Sequence, residues 1–168
     1  MKLIKSLMRN LRMDEVNEHQ IVRRLTETVN DPTHPKRIES KEFRLSKKRL
    51  KTDGHYKCYI CGATENLQVH HYGAEWMFAE VIDFNKLKEF CEEWDAYGYG
   101  KLLKHTPIES VDDVRNCLVL CREHHNSGDS DGAANGIHNI TFPAWISQKL
   151  VRTGFDTVPQ DDNPSDGL

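Results

Sequence analysis

Apolar positions change their period twice between Leu67 and Asn126. Leu67-Gln68-Val69-His70 alternates apolar and polar, which predicts a short strand with one buried face. Cys117-Leu118-Val119-Leu120 is a continuous apolar run and suits a second, buried strand. After Cys121 the polarity rises, and His124 and His125 fall on the first turn of a predicted helix. Between the strands, Phe84, Leu87, Phe90, Cys91 and Trp94 recur at helical spacing and predict an amphipathic helix. A Tyr97-Gly98-Tyr99-Gly100 turn and a break at Pro107 follow. The fold class expected is α+β: a small strand-strand-helix core with a helical N-terminal extension and a helical insert.

The flanks divide the chain further. Met1–Met13 spaces Leu3, Leu7 and Leu11 among Lys2, Lys5, Arg9 and Arg12, the pattern of a short basic amphipathic helix. Asn30-Asp31-Pro32-Thr33-His34-Pro35 is a break. Phe142-Pro143-Ala144-Trp145-Ile146 predicts a last helix starting at Pro143, a favoured first helical position. The expected organisation is a basic helical extension over 1–55, a core domain over 56–152 with its insert at 72–115, and a flexible acidic tail over 153–168.

Four soft donors are threaded through the core. Cys58-x-x-Cys61 and Cys121-x-x-His124 supply two short-spaced pairs, the usual delivery of a tetrahedral structural Zn²⁺. A lone CxxC is equally a redox pair or two packed thiols; the second pair moves the reading to zinc. Cys91 and Cys117 lie in apolar stripes and read as buried thiols. Five cysteines used in this way point to a reducing cytoplasm.

A second cluster is not needed by a structural zinc. His70 and His71 are adjacent on a strand, so their side chains point to opposite faces. One can hold an ion while the other faces a substrate water. With Asn116 ahead of the second strand and His125 directly after His124, the ordered set resembles the HNH nucleases, the zinc-stapled type of the ββα-metal superfamily. The resemblance covers roughly Tyr56 to His138, and phage and mobile-element proteins are its expected setting.

The resemblance implies a metal-dependent DNA endonuclease. His71 would be the general base, which an imidazole suits near neutral pH. Asn116 would fix the orientation of His71. His70 and His125 would bind a catalytic divalent ion, Mg²⁺ or Mn²⁺, and cleavage would leave 5′-phosphate and 3′-hydroxyl ends. A last metal ligand is expected one helical turn after His125. That place falls on Asp129 in a Gly/Ser/Asp-rich stretch, so His138, returned by a loop, is the favoured third ligand, with Asp129 the substitute. The other departure is the 44 residues separating His71 from Asn116. They are a helical excursion packed on the core, or a surface on which Trp76, Trp94, Tyr97 and Tyr99 receive a protein or stacking partner.

Charge sharpens the picture. The net charge of −3 conceals a basic first third: residues 1–57 carry +7 and residues 58–168 carry −10. The excess peaks at Lys36, Arg37, Lys41, Arg44, Lys47, Lys48, Arg49 and Lys51, a run that would contact DNA phosphates or form a solvated helical face. No stretch approaches the ~20 apolar residues of a membrane span, and Met1–Met13 lacks a signal peptide's apolar core, so the cytoplasm (a host's, for a phage protein) is expected. A homodimer is compatible with the chain. The competing function is a zinc-stabilised binding or inhibitory module using the same fold without cleavage.

Overall fold

The computed structural model of the protein describes residues 30, 32–126, 136–137 and 142–155. The Met1–Met13 segment, Asp129, His138 and the tail beyond 155 lie outside the described residues.

The basic run folds as a helix, α1 (Lys41–Thr52), in which Phe43 and Leu50 share the buried face and Leu45 stays exposed. Phe43, Ser46 and Leu50 are buried at i, i+3 and i+7, while Lys41, Arg44 and Lys48 stay exposed. Ser40 caps the helix, its Oγ accepting from Phe43 N at 2.9 Å.

Strands β1 (Leu67–His71) and β2 (Cys117–Cys121) pair antiparallel, with Val69 opposite Val119, His70 opposite Leu118 and His71 opposite Cys117. Directly opposed residues share a face, so the register sorts the sheet into two sides. Val69, His71, Cys117 and Val119 face α1, where Phe43 and Leu50 close one apolar cluster. On the reverse side Leu118 and Leu120 enter a larger cluster with Leu87, Phe90, Cys91, Ile146 and Leu150. Those last five come from α2 (Phe84–Glu93) and, beyond the second strand, the terminal helix Phe142–Leu150.

The insert is helical in part. Asp83 caps α2 through Asn85 N and Lys86 N. The Tyr97–Gly100 turn runs into one helical turn, α3 (Tyr99–Leu102), entered through Gly98 at φ 84°. Gly100 allows α3 to press on α2, since a Cβ there would lie 2.4 Å from the Cys91 carbonyl oxygen. A single 3-10 turn, Val114–Asn116, leads into β2, and α4 (Arg122–Asn126) follows it and packs on both strands. The terminal helix, α5 (Phe142–Leu150), begins one residue before Pro143 and is tied back by Asp83 N donating to Leu150 O at 2.8 Å.

Two of the insert's four candidate aromatics, Tyr97 and Tyr99, make structural hydrogen bonds. Tyr99 is buried and its hydroxyl donates to Asp53 at 2.8 Å, and the Tyr97 hydroxyl accepts from Val119 N at 3.0 Å. Tyr97 and Trp76 are half-buried, and Trp94 is 59% exposed. Cys91 and Cys117 are buried thiols, the former pushed up to about 12 by burial. None of the described helices is long and apolar enough to cross a membrane.

Candidate functional site

The four soft donors converge. Cys58, Cys61, Cys121 and His124 place their ligand atoms within 4.8 Å of one another. A tetrahedral zinc with Zn–S of about 2.3 Å and Zn–N of about 2.0 Å requires S···S edges near 3.8 Å and S···N edges near 3.5 Å. Cys61 Sγ lies 3.8 Å from Cys121 Sγ, and His124 Nδ1 lies 3.7 Å from Cys58 Sγ and 3.1 Å from Cys121 Sγ. The group can hold a structural zinc with His124 coordinating through Nδ1.

Local backbone builds this knuckle. Gly62 adopts φ 75° and donates to Cys58 O at 2.8 Å, closing the CxxC turn. Tyr59 N donates to Val119 O at 2.8 Å, fastening the turn to β2. Burial would raise the Cys58 thiol, but backbone donors at Cys61, Cys121 and Ile60 outweigh it and bring it down to about 6. That favours the thiolate a metal needs.

The second cluster straddles β1. His70 is 3% exposed; its ring meets that of His125 on α4 at 5.2 Å between centroids, and its Nε2 lies 3.4 Å from Glu75 Oε1. His125 Nδ1 is hydrogen-bonded to Gln68 Oε1, one β1 position along the same face. Burial pushes the Glu75 carboxyl up to about 7 against the lowering effect of Arg37. Two imidazoles and a carboxylate make a donor set that suits a divalent ion, although among the described residues only the Cys3His group gathers three or more ligand atoms within 4.8 Å. His138, the third ligand expected from the sequence, lies outside the described residues.

His71 points the other way, 2% exposed beneath Phe43, whose ring stacks on it at 4.7 Å. Its Nε2 is 2.7 Å from Asp112 Oδ1. Burial lowers the pKa of His71, with Asp112 acting in the opposite sense. Burial alone would raise the Asp112 carboxyl, but hydrogen bonds from His71 and Ser40 outweigh it and lower it. The pair is therefore a neutral imidazole donating Nε2–H to a carboxylate. That tautomer leaves the lone pair on Nδ1.

Asn116 does not bond the His71 ring. Fully buried, it pins the loop directly after His71. Its Oδ1 accepts from Gly73 N at 2.9 Å and Ala74 N at 3.1 Å, and its Nδ2 donates to Ala74 O at 2.9 Å and Val111 O at 2.7 Å. Gly73 is required there, because a Cβ would lie 2.9 Å from Asn116 Oδ1 and 2.8 Å from the Phe90 ring. Beside it, the buried Arg115 donates to Leu103, Thr106 and Pro107 carbonyls and to both oxygens of Asp113, fixing the far end of the insert.

Sequence reasoning missed Glu75 and Asp112. Asp112 and Asp113 are adjacent shortly before Asn116, yet only the fold tells that one orients His71 and the other binds Arg115. The basic residues divide as well: Lys41, Arg44 and Lys48 point outward, whereas Arg37 and Lys47 flank the Phe43 ring at 5.6 and 4.3 Å from its centroid. Comparison with protein-family models, curated proteins and solved structures gives no match to this chain.

Proposed function

We propose that the protein is a metal-dependent DNA endonuclease of the HNH type, hydrolysing phosphodiester bonds. The observation that carries this reading is the junction at the end of β1. There the His70–His125–Glu75 donor set and the His71–Asp112 pair occupy opposite faces of adjacent residues.

In this reading His71 accepts a proton at Nδ1 from a water molecule as its oxygen attacks phosphorus. The bond from phosphorus to the 3′ oxygen breaks, and that oxygen takes a proton from solvent water, leaving 5′-phosphate and 3′-hydroxyl ends. Asp112 holds the imidazole in the tautomer that has Nδ1 unprotonated and stabilises the imidazolium once formed, the role a buried carboxylate plays toward a base. Asn116 keeps the loop after His71 in register. His70, His125 and Glu75 would hold the divalent ion, with His138 as a further donor. When bound, that ion would supply Lewis-acid stabilisation of charge on the phosphate and the leaving oxygen. Because the Phe43 ring covers His71, α1 controls access to the base.

The second reading is a zinc-stapled binding module. Burial of both His70 and His71 favours it, since His71–Asp112 and Asn116 then serve as buried polar pins. Exposed Tyr59, Ile60 and Trp94 would supply its contact surface. Supercoiled plasmid incubated with the purified protein and Mg²⁺ or Mn²⁺, with and without EDTA, separates the two. Metal-dependent nicking that disappears in His71→Ala supports the nuclease. Intact plasmid in every lane, from folded and zinc-loaded protein, favours the binding module.

A further inference from the structure

Eight cations crowd the segment from Lys36 to Lys51, but the fold gives only some of them a shape to act on. An open groove of about 430 Å³ runs between α1 and β1. Arg37, Lys47, Phe43, Tyr56 and His125 are among the residues that line it.

The cations here are held. Lys47 Nζ sits 4.3 Å from the Phe43 centroid, and Arg37 Cζ 5.6 and 5.9 Å from those of Phe43 and Trp76. Long side chains fixed over rings lose less rotamer entropy when they meet an anion. The same stacking occupies the aromatic faces, so the groove offers positive charge rather than platforms for bases. A site of that kind reads a sugar-phosphate backbone without reading its sequence.

One acid breaks the pattern. Glu39 also lines the groove, and its Oε2 lies 2.7 Å from Lys47 Nζ. Its carboxylate stands where an incoming anionic oxygen would meet that ammonium.

We propose that this groove is the phosphate-backbone cleft of the protein, occupied in the free state by Glu39 and taken over by one strand of a DNA duplex. Arg37 and Lys47 are its principal contacts, and His125, whose ring meets that of His70, joins the groove to the His70 cluster. The choice of DNA as occupant rests on the nuclease reading, whereas the placement of the contacts does not. The outward-facing Lys41 and Lys48 contribute only to the general field.

The test is fluorescence anisotropy of a short labelled DNA duplex with zinc-loaded protein, at several salt concentrations and with no added Mg²⁺ or Mn²⁺. Arg37→Ala and Lys47→Met should each weaken binding by about fivefold and reduce the salt slope by about one. Methionine keeps the apolar stem over Phe43, so a loss there reports charge and not packing. Glu39→Gln should tighten binding by about threefold, the scale of an exposed ion pair released. Lys41→Ala and Lys48→Ala should cost less than about twofold.

Equal losses at Lys41 and Lys48 would overturn the groove in favour of a diffuse basic face. Unchanged binding in Glu39→Gln would overturn the internal phosphate mimic, and tighter binding to single-stranded RNA of equal length would overturn the choice of DNA. The underlying readings fail separately. Arg37-dependent binding without plasmid cleavage leaves the groove and removes the nuclease, and cleavage insensitive to Arg37 and Lys47 does the reverse.

Discussion

Replacing Asn116 by alanine removes a side chain that makes four hydrogen bonds within a fully buried site. Two backbone N–H groups, at Gly73 and Ala74, and two carbonyls, at Ala74 and Val111, lose their partner together. Each buried polar group left unsatisfied costs about 1–3 kcal/mol. The cavity admits some relaxation, so roughly half of these groups find a new partner or water. The remaining two set a loss of about 4 kcal/mol, a large part of the 5–15 kcal/mol that holds a domain folded. For a chain of this length that lowers Tm by about 8–16 °C. Asn116→Asp sharpens the test. It keeps the two accepted bonds but turns an oxygen toward the carbonyls of Ala74 and Val111, so its loss should approach that of alanine at neutral pH. Thermal and urea unfolding at fixed free zinc would measure both, because bound zinc adds to apparent stability. An alanine variant within about 1 kcal/mol of wild type would refute the assignment of Asn116 as the pin of the β1–β2 connection.

Three further outcomes follow from the same geometry. Arg115→Lys, which cannot reproduce the forked contacts to three carbonyls and Asp113, should destabilise by about 3 kcal/mol in urea unfolding, and a neutral result would show that the guanidinium is dispensable. Chelation of zinc, or Cys61→Ser, should abolish the cooperative thermal transition and release the CxxC turn from β2, and an unchanged transition would remove zinc as the staple. Asp112→Asn should preserve zinc content while lowering plasmid cleavage by about 100-fold or more, since an amide cannot stabilise the His71 imidazolium, and retained cleavage would deny Asp112 its orienting role.

Local signals carried much of the architecture. The alternation at Leu67–His70 and the apolar run from Cys117 identify the two strands, and the two short-spaced donor pairs identify the group that can hold zinc. The stripe from Phe84 to Trp94 marks α2, although Trp94 itself caps the helix and stays largely exposed. What escaped was the partner of each buried polar group. His71 meets Asp112 across 41 positions and His70 lies beside Glu75 through a turn, and no period in the chain records either. The hydroxyl partners of Tyr97 and Tyr99 were hidden for a related reason. Nothing in the Tyr97–Gly100 turn signals Asp53, which accepts from the Tyr99 hydroxyl at the end of α1, or Val119 N on β2, which donates to the Tyr97 hydroxyl. Likewise the basic run hides the pair Phe43 and Leu50, which dock α1 on the sheet and set Phe43 over His71.

In the proposed nuclease the zinc staple and the hydrolytic centre use separate residues, and zinc content measured beside plasmid cleavage tests that division most directly. His125→Ala should keep about one zinc per chain and a wild-type fold yet lose Mg²⁺- or Mn²⁺-dependent cleavage, while Cys61→Ser loses zinc, fold and cleavage together. Full cleavage by a folded, zinc-loaded His125→Ala protein would contradict a hydrolytic centre at His70 and His125.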